Sequence, residues 1–206
     1  MTEDPYNAVI TWIEEPASPR PGPLAGKRLL VKDLIDTAGV RTTYGSRIYA
    51  EHVPSRTAPV VGRLEAAGAV VVGKANLPAF AWSVLGHNPW YGTVHNPVHP
   101  GRTTGGSSSG NAAALAASVC ELGLGTDTGC SVRLPSACCE TVGLKPRWGE
   151  ISMEGIFPLC PTLDTVGPMG RTVADVASAW SIMAGKPVPE PRLAGLRVGL
   201  LRPPPE

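Results

Sequence analysis

The chain has 206 residues, of which 43% are hydrophobic, 17% charged and 5% aromatic, a composition that buries a core and excludes a disordered chain. Its 24 glycines and 22 prolines require tight, irregular connections and argue against a plain helical bundle. Eighteen Lys and Arg against 17 Asp and Glu leave a formal net charge of +1, too weak a field to draw nucleic acid or an anionic membrane.

The first residues, MTEDPYNAVITWIEEP, carry acids where a secretory signal carries bases, and no apolar run approaches the roughly 20 residues of a membrane span. A cytoplasmic protein is expected. Neither a repeat nor a linker divides the chain, so a single domain over 1–206 is expected, begun by an amino-terminal arm over 1–26. In that arm a short amphipathic stretch (6–15) precedes PASPRPGPLAG, which must run extended over the surface. Residues 28–31 then give a β-like run, 57–67 a helix with Val60, Val61 and Leu64 on one side and Gly68 ending it, and 69–72 a buried strand. Asn76-Leu77-Pro78 predicts a helix start with its apolar body over 79–84. The proline- and glycine-rich stretch 86–106 predicts a long loop. A small-residue helix over 109–119, a short strand over 122–124, a helix over 173–183 capped by Thr172 and a last strand over 196–201 complete the pattern. That last strand is followed at once by PPPE, so a missing carboxy-terminal half is expected. The order of elements is α/β.

Five cysteines (Cys120, Cys130, Cys138, Cys139, Cys160) form an odd set without a CxxC pair, which predicts free thiols rather than a disulfide framework or a zinc site. The histidines His95 and His99 fall in HNPVHP, where prolines oppose one helical face, so no metal is expected. Two glycine-serine segments carry the candidate chemistry: TGGSSSGN over 104–111 and GTDTGCSVR over 125–133. The first lacks the Lys-Ser/Thr ending of a phosphate loop and the spacing of a dinucleotide fingerprint. The second places Ser131 among small residues whose backbone N–H groups can converge on one point, a candidate oxyanion hole. A serine needs a base, and neither segment holds a histidine; Lys32, after the apolar run LLV, would serve if burial left part of its amine neutral. The alternatives are a surface Lys32 paired with Asp33, and serines that merely form turns.

The blocks VKDLIDTAGVRTTYGS, VVGKANLPAF, GGSSSGNAAALAA, GLGTDTGCSVRLPSACCETVGLKP and LDTVGPMGRTVAD resemble, in order, those of the amidase signature family, over most of residues 24–185. The resemblance implies a mixed β-sheet covered by helices and a serine-serine-lysine triad. In it Ser131 attacks the amide carbonyl, Ser107 relays the proton and Lys32 is the base. It further implies a cis peptide at Gly106-Ser107 and an oxyanion hole made by the N–H groups of Thr128, Gly129, Cys130 and Ser131. Ser108 and Ser109 are left as helix-capping residues. Asp127 is expected to fix the loop, and Arg133 either to pair within the protein or to meet a substrate carboxylate. Cys130 and Cys138-Cys139-Glu140 stand where the family pattern has glycine and phenylalanine-cysteine-glycine. Cysteine at 130 would be strained if the backbone there took a glycine-only angle; as a side chain it is either a packing residue or a reactive thiol.

The implied activity is amidase hydrolysis of a linear amide C–N bond: a small carboxamide substrate, a serine acyl-enzyme, release of ammonia or an amine, and no cofactor. Two alternatives stand beside it. One is an amidotransferase A-like subunit that works with partners on misacylated tRNA, disfavoured by the neutral charge and by the GHNPWYGTVHNP segment. The other is a truncated, catalytically silent member. Neither nucleic acid nor membrane is expected as a direct partner, whereas a second copy or the missing carboxy-terminal segment would cover an exposed sheet edge.

Overall fold

The computed structural model describes residues 4–190, 194–197 and 199. Its sheet has six strands: β1 (Val9–Trp12), β2 (Arg28–Lys32), β3 (Val70–Ala75), β6 (Leu122–Asp127), β7 (Val142–Gly143) and β8 (Thr165–Gly170). The spatial order is β1-β3-β2-β6-β8-β7. Strand β2 lies parallel to both β3 and β6, while β1, β7 and β8 run antiparallel to their neighbours. The sheet is therefore mixed, as expected. The amino-terminal arm contributes β1 to it and exposes the proline-rich part that follows.

Strand alternation sorts the core. Leu29 and Val31 face one side with Leu122, Leu124 and Val166, under α1 (Pro59–Ala66) and α4 (Val173–Ala184). Leu30 faces the other side with Val72 and Met169, under α2 (Ser109–Ala116). Each fully buried leucine of this kind contributes on the order of 1.5–3 kcal/mol. Lys32 follows Leu30 by two residues, so the same alternation aims it at the start of α2. The helices obey local signals: Pro59 opens α1, Val60, Val61 and Leu64 are its buried side, and Thr172 Oγ1 caps α4 by accepting from Asp175 N at 3.1 Å.

Three expectations are corrected. The helix expected over 79–84 is a single 3-10 turn, Ala79–Ala81, with Phe80 and Ala81 at positive φ. Asn76 does not cap it: its amide donates to Asn7 O and Tyr91 O, and Leu77, Phe80 and Ala81 pack with Tyr44, Tyr49 and Phe157 instead. Tertiary aromatic packing outweighs helix propensity here. Within the long 86–106 loop a hairpin forms between β4 (His87–Asn88) and β5 (Gly92–Thr93), pinned where Asn88 Nδ2 donates to Gly45 O and Leu77 O. The strand begun at Leu122 extends to Asp127, and β8 and the short helix α3 (Arg133–Cys138) had no sequence signal. Pro168 and two glycines hide β8, a central strand. The strand expected over 196–201 falls largely outside the described residues. Among the described residues no helix is long and apolar enough to cross a membrane.

Candidate active site

Gly125 lets the start of α2 lie directly on β6. A Cβ added to it would come within 2.7 Å of Ser108 Oγ, so the serine segment and the strand can approach only without a side chain there. This close approach delivers three hydroxyls to Lys32. Its Nζ donates to Ser107 Oγ at 2.7 Å, Thr126 Oγ1 at 2.8 Å and Ser108 Oγ at 3.0 Å. The side chain is 0% exposed. Burial lowers the Lys32 pKa to about 7, against the opposing pull of Asp127 and Asp164. The alternative of a surface Lys32 paired with Asp33 is excluded: Asp33 instead accepts from Thr43 N at 2.8 Å and Thr43 Oγ1 at 2.5 Å.

The Gly106-Ser107 peptide is cis. Ser108 N–H donates to Ser131 O at 3.0 Å, tying the two serine segments together, while Ser131 Oγ has no hydrogen-bond partner among the described residues. Ser108 departs from expectation. It sits at the helix N-cap position without a side-chain capping bond, and its hydroxyl accepts from Lys32 and donates to Thr126 O at 3.3 Å. The buried amine is the more demanding partner, since a charged donor without acceptors is costlier than an uncapped helix end. Ser109 Oγ likewise reaches back to Ser107 O, at 3.5 Å.

The loop that follows β6 is held by its carbonyls and side chains rather than by its amides. The N–H groups of Thr128, Gly129, Cys130 and Ser131 have no acceptor among the described residues, whereas Gly129 O accepts from Arg133 Nη2 at 2.6 Å and Cys130 O from Leu134 N at 2.8 Å. Asp127 accepts from Val132 N at 3.1 Å and binds Arg133 through Nε at 3.0 Å and Nη2 at 2.9 Å. Burial alone would raise its pKa; the Arg133 guanidinium and the two N–H groups outweigh burial and hold Asp127 below the usual carboxylate range. Arg133 is thus paired within the protein. Cys130 is not at positive φ, so no glycine-only angle is forced on it, and all five cysteines are free. Positive φ occurs instead at Glu140, 55°.

Several neighbours of the site carried no assigned role: Thr126, Asp164 and Lys74. Thr128 Oγ1 donates to Asp164 Oδ1 at 2.6 Å. Lys74 had the same signal as Lys32, a lysine ending an apolar strand, and is equally buried. Burial lowers its pKa to about 8 against Asp33 and Asp36, but its amine serves the 35–42 loop, donating to Ile35 O, to Thr42 Oγ1 at 2.8 Å and to Thr37 Oγ1 at 3.3 Å. Only the neighbouring serines distinguish the two lysines. No group of three or more His, Cys, Asp or Glu side chains suited to a metal ion occurs among the described residues.

The sequence model of the Amidase family matches residues 11–193. The chain belongs to the amidase family. Over 195 residues this amidase-family chain is 45% identical to the A subunit of the glutamyl-tRNA(Gln) amidotransferase of Symbiobacterium thermophilum, covering 87% of itself and 40% of that relative. A solved structure described as an amidase superposes with TM-score 0.83 at 38% identity, over 89% of this chain and 45% of that one. The corresponding glutamyl-tRNA(Gln) amidotransferase protein of Thermotoga maritima gives TM-score 0.82 at 38% identity, over 86% and 39%. The chain therefore spans less than half the length of these amidase-family relatives, and its mixed sheet with covering helices is the one they share.

Proposed function

We propose that this chain carries the amide-cleaving machinery of an amidotransferase A-like subunit, with Ser131 as nucleophile, Ser107 as proton relay and Lys32 as base. The observation that carries the reading is the buried amine of Lys32 on Ser107 Oγ at 2.7 Å. With its pKa lowered to about 7, a large share of Lys32 is neutral near neutral pH and accepts the Ser107 proton. Ser107 in turn accepts the proton of Ser131 as Oγ attacks the carboxamide carbon. The developing oxyanion meets the unpartnered N–H groups of residues 128–131, each donor of this type being worth about 3 kcal/mol. Collapse breaks the C–N bond, the proton returns through Ser107 to the leaving nitrogen, and water then releases the acyl group from Ser131.

The amidotransferase setting rests on the curated relatives, which bear that name at 40–48% identity. In that setting the nitrogen released here passes to glutamyl-tRNA, and the charge of +1 leaves the tRNA to be held by partner subunits rather than by this chain. The second reading, a free-standing hydrolase of small amides, is supported by the likeness to the solved amidase. Intact-mass labelling with a fluorophosphonate tests the shared chemistry: one adduct is expected, lost in Ser131→Ala and Lys32→Ala. A folded chain that takes no adduct overturns it. Ammonia transfer to glutamyl-tRNA only with copurified partners distinguishes the amidotransferase; turnover of simple amides by the chain alone favours the hydrolase.

A further inference from the structure

Asp164 is 5% exposed and has no cation partner among the described residues. Its two oxygens are nevertheless fully engaged. Oδ1 accepts from Thr128 Oγ1 at 2.6 Å and Cys160 N at 3.0 Å, and Oδ2 from Cys160 N at 2.9 Å and Leu159 N at 3.0 Å. Leu163 N and Asp164 N return to Cys160 O at 2.8 and 2.9 Å, closing the turn around the carboxylate. One residue later Thr165 Oγ1 donates to Asp127 O at 2.8 Å, so the two segments run side by side where the oxyanion loop begins. The carboxylate thus grips the first residue of the 128–131 loop from 36 positions away in the chain.

We propose that Asp164 is a positioning residue for the reaction, its carboxylate locking the 128–131 backbone against the 159–164 turn so that the four free amides keep one arrangement. The proposal rests on the acyl-transfer reading for its catalytic consequence. A buried anion here has three donors aimed at it, Thr128 Oγ1 and the N–H groups of Leu159 and Cys160, and no other duty visible in the fold; alanine in its place leaves all three without this acceptor. The same negative charge acts on Lys32 beside that of Asp127, which is itself neutralised by Arg133. Removing Asp164 therefore favours the neutral amine.

The test compares Asp164→Ala and Thr128→Val with the parent by amide hydrogen exchange and by the rate of fluorophosphonate labelling between pH 5 and 9. Exchange of the Leu134 N–H, which ties the loop by donating to Cys130 O, is expected to rise about tenfold in both variants, the size of losing a hydrogen bond to a charged group, with α4 unchanged. Labelling slows in both. Its acid limb moves to lower pH in Asp164→Ala alone, because Thr128→Val keeps the charge. Unchanged loop exchange in both variants, or exchange that rises equally in α4, overturns the proposal, as does normal labelling from a loosened loop. A parent that is never labelled at Ser131 sinks the acyl-transfer reading instead, and loop exchange in the variants still decides whether the tether exists.

Discussion

Lys32 and Ser107, 75 positions apart in the chain, meet at 2.7 Å with neither side chain exposed to solvent. The contact exists because β2 ends on the face covered by α2 and because Gly125 lets α2 settle onto β6. Its chemistry follows from burial, which takes the amine down to about 7.

The rate of Ser131 acylation should follow deprotonation of Lys32. Below pH 7 the labelling rate is expected to rise about tenfold per pH unit and then level off above it. A pH–rate series with a fluorophosphonate checks this, and a flat profile between pH 5 and 8 would remove Lys32 as the base.

The same burial costs stability. The unfolded lysine keeps its proton up to pH about 10.5 while the folded one loses it near 7, so the unfolded state binds more protons between these values and stability rises with pH across that window. Lys32→Met should abolish labelling yet be more stable than the parent by on the order of 1–3 kcal/mol below pH 7. Urea melts should show that difference narrowing toward pH 10.

Ser108→Ala separates two roles for one hydroxyl. A capping residue would cost stability alone; a partner of Lys32 also costs rate, because the amine loses an acceptor at 3.0 Å and can turn from Ser107. A fall in labelling rate of about tenfold or more is expected, beside a melting temperature lowered by only a few degrees.

Glu140 sits at φ 55°, a region costing an L side chain about 1 kcal/mol or more. Its only side-chain polar contact among the described residues, with His99 Nε2 at 3.0 Å, is on the surface. Glu140→Gly should therefore stabilise the protein by about 0.5–1 kcal/mol after the extra freedom of glycine in the unfolded chain is counted. Chemical denaturation of the two proteins would measure it.

Gly110→Ala goes the other way. Helix propensity favours alanine by about 1 kcal/mol, but a Cβ at this position in α2 would lie 2.2 Å from Ala8 O and 2.6 Å from Asn76 N. Backbone on both sides cannot yield, so a loss of about 3 kcal/mol or more is expected, visible as a chain that melts early or does not fold.

Much of the outer frame was legible locally. Apolar periodicity marked α1, α4, β2 and β3, and Thr172 and Pro59 behaved as their chemistry requires. What failed did so where long-range contacts overrule local preference. Residues 79–84 gave up a helix to an aromatic cluster that no nearby residue announces, and β8 hid behind Pro168 because a proline is tolerated in a central strand only when the ladder does not need its N–H.

The sequence alone determined the kind of chemistry on offer: glycine-serine segments able to shape a backbone around an oxygen, and a lysine behind an apolar strand. The local pattern, a lysine ending an apolar strand, is the same at Lys32 and Lys74, which also share one degree of burial; the family resemblance is what pointed to Lys32. Only the tertiary structure separates their surroundings, placing Ser107, Ser108 and Thr126 around the amine of Lys32 and loop oxygens around that of Lys74. The reason is physical: proton affinity and reach depend on which polar groups share a buried space, and that is set by the crossing of β2, β6 and α2 rather than by any neighbour in the chain.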